Sequence, residues 1–212
     1  MVPNIAQMLG LALTLTLLST PSLSSPAILP PTKDGSRSTA RSDCLPDQEC
    51  TDGFNVRFGN LDVECGRKLD DEQVTDVPVL DFTVPDDRDT SSDVESQSPQ
   101  GAMLLMLVDP DAPSASDCPN TYWLHWMAQV RFQDGMMKVE QTLVDFSPPS
   151  PPSGSGPHRY QVLLHVLKDD VPKVAVPGTR SAFDLDTFTK SIKGIGELQA
   201  SFQFRVDCGK RE

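Results

Sequence analysis

Three pairs of residues in this 212-residue sequence combine chemically active side chains with a spacing of i, i+2: Asp109 with Asp111, Trp123 with His125, and His158 with Tyr160. In extended chain both members of such a pair point to one face. The carboxylates follow an apolar run, in VDPDAP. Trp123 and His125 sit inside a second apolar run, with Leu124, Trp126 and Ala128 expected on its opposite face. His158 opens a third run directly after SPPSPPSGSGP, whose five prolines and two glycines impose a shaped loop. If the pairs converge, two carboxylates, two imidazoles, an indole and a phenol meet at one end of a sheet. Asp and His together serve as orienter and base in catalysis, as part of a metal site, or as a binding site.

Catalysis lacks a nucleophile: no G-x-S-x-G string occurs, and Gly154-Ser155-Gly156 does not have the elbow spacing. The expectation is therefore a protein that is not an enzyme. A metal site from Asp109, His125 and His158 lacks any H-x-H or H-E-x-x-H support, and no cofactor is expected. Taken one at a time, the same residues have plain structural readings. Asp109 and Asp111 suit a turn beside Pro110 and Pro113, His125 suits a hydrogen-bonded core position, and Trp123 and Tyr160 suit packing.

Short alternating apolar runs at Phe54–Phe58, Val77–Val84, Tyr122–Phe132, Val139–Phe146, Tyr160–Leu167 and Phe202–Val206 read as strands. Ala102–Val108 is apolar on both faces, as in a central strand covered on each side. Only Leu185–Gly196 reads as a helix, with Leu185, Phe188, Ile192 and Ile195 on one face and Asp184 as N-cap. The fold class expected is mainly β, an antiparallel β-sandwich with one or few short helices. The stretch 86–98 carries five acids against one arginine and reads as a solvated loop.

With 30 acidic against 18 basic residues, the formal charge of −12 sets the whole-molecule field against nucleic acid and against stable binding to anionic bilayers. The uncharged run Met8–Leu18, followed by small residues, has the size of a secretory signal rather than a membrane span. The organisation expected is a signal peptide over 1–24, a flexible leader over 25–42 and one domain over 43–212, secreted and extracellular. In an oxidising compartment Cys44, Cys50, Cys65, Cys118 and Cys208 should pair where geometry permits. Five is odd, which leaves a free thiol or a covalent dimer.

The strings LVDPDAPS at 107–114, YWLHWMAQV at 122–130 and PPSGSGPHRYQVLLH at 151–165 resemble the phosphatidylethanolamine-binding protein family, over roughly Phe54–Val206. The export signal, Cys44, Cys50, Cys65 and the PSPP wording look most like its secreted animal branch. The resemblance implies a β-sandwich with a small anion pocket at one end, formed by Asp109, Asp111, Trp123, His125, Pro152, His158 and Tyr160, and a cis bond from Ala112 to Pro113. Ala115 stands where family members usually carry an arginine, a departure that puts in doubt any salt bridge bracing that loop. An anion site with two carboxylates requires that they face the histidines, fix their tautomers and leave the other ring nitrogen for the ligand. Backbone N–H groups of 153–156 would add donors. The family chain returns toward the pocket end at Cys208, which suggests a Cys118–Cys208 disulfide, with two of Cys44, Cys50 and Cys65 forming the other. The function implied is a secreted binding protein for a phosphate-bearing head group or small anion, modulating signalling through protein partners. The alternative is a secreted serine protease inhibitor or another protein-interaction module without a physiological small ligand, with an extracellular protease or receptor as partner.

Overall fold

The computed structural model describes residues 44–83, 99–168 and 174–209; the signal and leader readings and the acidic stretch 86–98 lie outside them. Among the described residues nine strands form one hydrogen-bonded sheet: β1 (Phe54–Phe58), β2 (Leu61–Val63), β3 (Lys68–Asp70), β4 (Val79–Phe82), β5 (Ala102–Asp109), β6 (Trp123–Gln133), β7 (Met136–Val144), β8 (His158–Leu167) and β9 (Ile195–Asp207). Among the described residues one α-helix, α1 (Leu185–Ser191), precedes β9, and a 3-10 turn, Asp71–Gln73, follows β3. The strand order is β2-β1-β4-β7-β6-β5-β8-β9-β3. All the paired strands run antiparallel except β3 and β9, a parallel pair that departs from the wholly antiparallel expectation.

β5 lies at the middle because it can be buried on both faces. Met103, Leu105 and Leu107 face one core, and Leu104, Met106 and Val108 face another. The first core is closed by the β1–β2–β4 end of the sheet folding over β5–β9. Phe58 meets Phe204 edge to face at 5.5 Å, and Phe54 meets Phe202 at 6.5 Å. The sandwich layers are thus two parts of one continuous sheet. They join where Asp81 of β4 pairs with Met136 of β7, next to the turn Asp134-Gly135. Both turn residues have positive φ, 51° and 75°, as a two-residue hairpin with right-handed strand twist requires. Phe82 N–H donates to the Gly135 carbonyl at 2.8 Å, and a Cβ on Gly135 would stand 2.8 Å from the Phe82 carbonyl oxygen.

The second core is covered by α1 and its flanks, through Phe183, Leu185, Phe188 and Ile192. Asp184 caps the helix, accepting from the Thr187 N–H at 2.9 Å. The helix ends at Ser191, not at Gly196: Ile192 is extended and Gly194 has φ 86°, so Ile195 already belongs to β9. The edge strands β2 and β3 have three residues each and are consecutive in the chain, linked by Glu64–Arg67. That link is held to β9, with Gly66 N–H donating to the Gln203 carbonyl and Arg205 N–H to the Arg67 carbonyl. Among the described residues no helix is long and apolar enough to cross a membrane.

Candidate functional site

The end of the sheet where β5 stops and β6 and β8 begin is a cavity of about 570 Å³. Asp109, Trp123, Pro152, His125, His158 and Tyr160 all line it, with Ala112, Pro113 and Tyr122 from the loop after β5. The lining is mostly apolar, and its ionisable groups are one carboxylate, two imidazoles and two phenols. Among the described residues that line it there is no lysine or arginine. The Ala112–Pro113 bond is cis.

His125 reaches the cavity through a β-bulge. Leu107 of β5 pairs with Trp126, yet Val108 pairs with Leu124, so His125 is an extra residue on β6. The alternation predicted for Leu124, Trp126 and Ala128 breaks there. Leu124 packs in the second core, while Trp126 and Ala128 pack in the first. The bulged imidazole lies against the Tyr160 ring, centroids 5.1 Å apart. Its Nδ1–H donates to the Ser147 carbonyl at 2.8 Å, since a carbonyl can only accept. Burial pushes His125 below the ordinary imidazole range, although the Ser147 carbonyl and the charge of Asp109 oppose it. At neutral pH the ring is therefore uncharged, and Nε2 presents a lone pair. That nitrogen makes no hydrogen bond to a described residue.

His158 is bound on both ring nitrogens. Nδ1 lies 2.8 Å from Asp109 Oδ2, and Nε2 lies 2.9 Å from the Ser155 hydroxyl. Gly154 and Gly156, with φ 83° and 81°, turn the chain so that Ser155 folds back onto the ring. The Ser155 hydroxyl also donates to the Pro152 carbonyl at 2.7 Å. Its hydrogen is drawn to the carbonyl and away from the imidazole, unlike that of a triad serine. Ser155 N–H likewise goes to Pro152 O, so this loop offers the cavity fewer backbone donors than expected from its glycines. Burial, and the charge of Asp109, push the Tyr160 hydroxyl strongly upward, so it stays protonated.

Asp111 is not part of the lining. β5 ends at Asp109, and the turn that follows sends Asp111 outward, where it accepts twice from Arg159: Nη2 at 2.7 Å and Nε at 2.9 Å. The Arg159 backbone N–H adds a third bond at 2.7 Å. Sequence reasoning passed over Arg159 although it alternates with His158 and Tyr160 and must face away from them. A basic side chain at that register needs an acid behind the pocket. Ser155 was also overlooked as a partner of His158.

The disulfides are Cys44–Cys118 and Cys50–Cys65, and Cys208 is free. The expected Cys118–Cys208 bridge is wrong, and the reason is the strap formed by residues 44–51, which lies along β8 and β9. Ser201 Oγ donates to the Glu49 carbonyl, Gln203 Nε2 to Asp47, Gln161 Nε2 to the Pro46 carbonyl and Arg159 Nη1 to the Leu45 carbonyl. These bonds deliver Cys44 to the loop beyond Asp111, where Cys118 waits. Cys208 leaves β9 on the other side, where Gly209 N–H donates to Asp71. The Cys44–Cys118 bond tethers the loop that carries Ala115. Among the described residues, no group of three or more His, Cys, Asp or Glu is arranged for a metal ion.

The profile of the phosphatidylethanolamine-binding protein family matches residues 59–203, more than half of the sequence and all of the pocket. The chain belongs to this family. Curated proteins similar to the chain include the 26 kDa secreted antigen of Toxocara canis, 31% identical over 113 residues, 52% of this chain and 37% of the relative. The carboxypeptidase Y inhibitor of Saccharomyces cerevisiae is 29% identical over 123 residues, 49% of this chain and 56% of the inhibitor. The matched segments thus span only 37% and 56% of the length of these two curated relatives. Among solved structures, that of carboxypeptidase Y inhibitor complexed with its cognate proteinase superposes with a TM-score of 0.58 at 23% identity, covering 73% of this chain and 82% of the other. A phosphatidylethanolamine-binding protein from Plasmodium vivax superposes with a TM-score of 0.52 at 18% identity, covering 79% and 92%. At these identities the likeness is one of fold. No family of enzymes is indicated by these matches.

Proposed function

We propose that this chain is an extracellular binding protein whose pocket takes a phosphate-bearing head group or phosphorylated small ligand and presents it to protein partners in signalling. The observation that carries the reading is the cavity itself: an apolar-walled site of about 570 Å³ whose polar groups, Asp109, His125, His158 and Tyr160, gather at its inner end. Apolar clefts with a few convergent polar groups are the usual form of a small-ligand site. Two disulfides among five cysteines suit an oxidising compartment. The secreted antigen among the relatives supports the same location.

Trp123 borders the cavity and is partly exposed, whereas the other tryptophan, Trp126, is buried. Its fluorescence therefore reports occupancy. Titration with phosphorylethanolamine and with inorganic phosphate is expected to change the emission saturably, and the change should vanish in Trp123→Phe. No saturable signal and no calorimetric heat with either compound up to millimolar concentration would sink the reading.

A second reading, a module that engages an extracellular protease, draws on the yeast relative named for carboxypeptidase Y inhibition. Its support is the relative alone. Absence of inhibition across a panel of secreted proteases, with ligand binding intact, would leave the first reading standing by itself.

A further inference from the structure

The pocket's acceptors outnumber its cationic donors in a way that specifies what an acid must bring with it. Asp109 lines the cavity and, while ionised, only accepts. It already takes the Asp111 N–H at 2.7 Å and faces His158 Nδ1 at 2.8 Å. Both ring nitrogens of His158 are engaged within the protein. His125 spends its one hydrogen on the Ser147 carbonyl, which leaves Nε2 as an unshared lone pair at the cavity. The arginines near the site are committed elsewhere: Arg159 to Asp111, and Arg180 to the carbonyls of Leu124, His125 and Asp145. The remaining donors of the lining are neutral, among them the hydroxyls of Thr121, Ser150 and Tyr122 and the indole of Trp123.

A fully ionised acid brings only lone pairs to His125 Nε2 and Asp109, and lone pairs facing lone pairs in a desolvated site are costly. An acid that keeps one hydrogen places it on Nε2 and offers its other oxygens to the neutral hydroxyls. From this geometry we infer that the pocket selects hydrogen-bearing acids: it binds a phosphomonoester as its singly ionised form, with the remaining P–O–H donated to His125 Nε2, and it discriminates against sulfate monoesters and phosphodiesters, which have no such hydrogen. The inference rests on the head-group reading and narrows its ligand class to free phosphomonoesters, excluding the diester linkage of an intact phospholipid.

The groups facing His125 are Asp109 at the end of β5, His158 and Tyr160 on β8, and Arg180 from the segment before α1. Of these, Arg180 and His158 oppose a charge on the ring and Asp109 favours one, while burial sets the outcome toward the neutral form. With the ring hydrogen held on Nδ1 by the Ser147 carbonyl, Nε2 of the neutral ring is an acceptor, and a singly ionised phosphomonoester carries the hydrogen it can accept. The second ionisation of a phosphomonoester lies near pH ~6, so around that pH about half of it is singly ionised.

The experiment is calorimetry of the full-length protein at about pH 6 with three probes: phenyl phosphate, phenyl sulfate and methyl phenyl phosphate. The last two are monoanions without an ionisable hydrogen, so charge is nearly matched and the hydrogen is the variable. Phenyl phosphate is expected to bind about tenfold or more tightly than either, the equivalent of one hydrogen bond formed against one refused. Its affinity should fall as pH rises from about 6 to 8 and the singly ionised form disappears. Equal affinity for all three overturns the inference and leaves the head-group reading in place. Tight binding of methyl phenyl phosphate alone with phenyl phosphate overturns it too, and points to a diester source such as a lipid. Binding of none of the three between about pH 5 and 8 overturns both readings. In His125→Phe the preference for phenyl phosphate should disappear, and its persistence would refute the role given to Nε2.

Discussion

Replacing Arg159 by leucine tests whether the wall behind the pocket is held by a buried charge pair. The Arg159 and Asp111 side chains are 12% and 7% exposed, and two guanidinium nitrogens reach the carboxylate within 2.9 Å. In R159L the carboxylate keeps one donor, the backbone N–H of the same residue at 2.7 Å. Removing one partner of a buried pair costs roughly 3–5 kcal/mol. The retained N–H offsets about a third of that, while loss of the bond to the Leu45 carbonyl adds about 1 kcal/mol. The expected cost is about 3 kcal/mol, a fall in melting temperature of roughly 6–12 °C for a domain of this size. Most of the cost arises from a stranded charge, so Asp111→Asn added to R159L should return about 1 kcal/mol or more. Urea unfolding followed by tryptophan emission and circular dichroism measures both. A cost below about 1 kcal/mol for R159L, or a second substitution that adds to the damage, would refute the reasoning.

Four further outcomes are expected. Opening Cys44–Cys118, with a sequence separation of 74, should destabilise more than opening Cys50–Cys65, with a separation of 15; the loop-entropy difference is about 1.4 kcal/mol. Paired alanine variants in a Cys208→Ser background, compared by urea unfolding, check the order. Stability should decline as pH falls below about 6.5, because burial lowers both His125 and His165 and the unfolded chain then binds more protons than the folded one. His165→Gln should shallow that decline between about pH 6.5 and 5, as read by thermal melts. Gly135→Ala should cost more than ~1 kcal/mol by the same melts, because the residue has φ 75° and its Cβ would strike the Phe82 carbonyl. Vesicles rich in phosphatidylserine should not pellet the protein even at low salt, given a net charge of −12.

The sequence makes the central strand legible because AMLLMLV is apolar on both faces, as a strand with a core on each side requires, and the Asp109-Pro110 that follows cuts short the buried helix that would also fit. It makes the pocket legible because Asp109, His125, His158 and Tyr160 all stand at strand ends. It cannot show the bulge at His125, which is set by pairing across to Leu107 and Val108 and leaves no mark on the spacing of β6. The same limit hides β2 and β3: LDV and KLD are too short to alternate. Asp109 and Asp111 look equivalent in DPDAP, yet one ends a strand inside the cavity and the other lies beyond the turn with Arg159. The cysteine pairing failed for a related reason. The path of residues 44–51 is dictated by Gln161, Gln203 and Arg159, more than a hundred positions away, and nothing local to Cys44 encodes it.

The two outermost strands of the sheet are neighbours in sequence, three residues each, joined by a short link that β9 itself holds down. Most open sheets end in two widely separated rows of unpaired amides, each able to accept a strand from another molecule. Here both rows are brief and meet at one seam, which the Cys50–Cys65 bond closes from the strap side. Neither row is long enough to template a second chain, and each carries charge, at Asp62 on β2 and at Lys68 and Asp70 on β3. At these two ends the described sheet therefore gives a second chain little to pair with; its longer open row lies instead along β7, which meets β4 only at Met136.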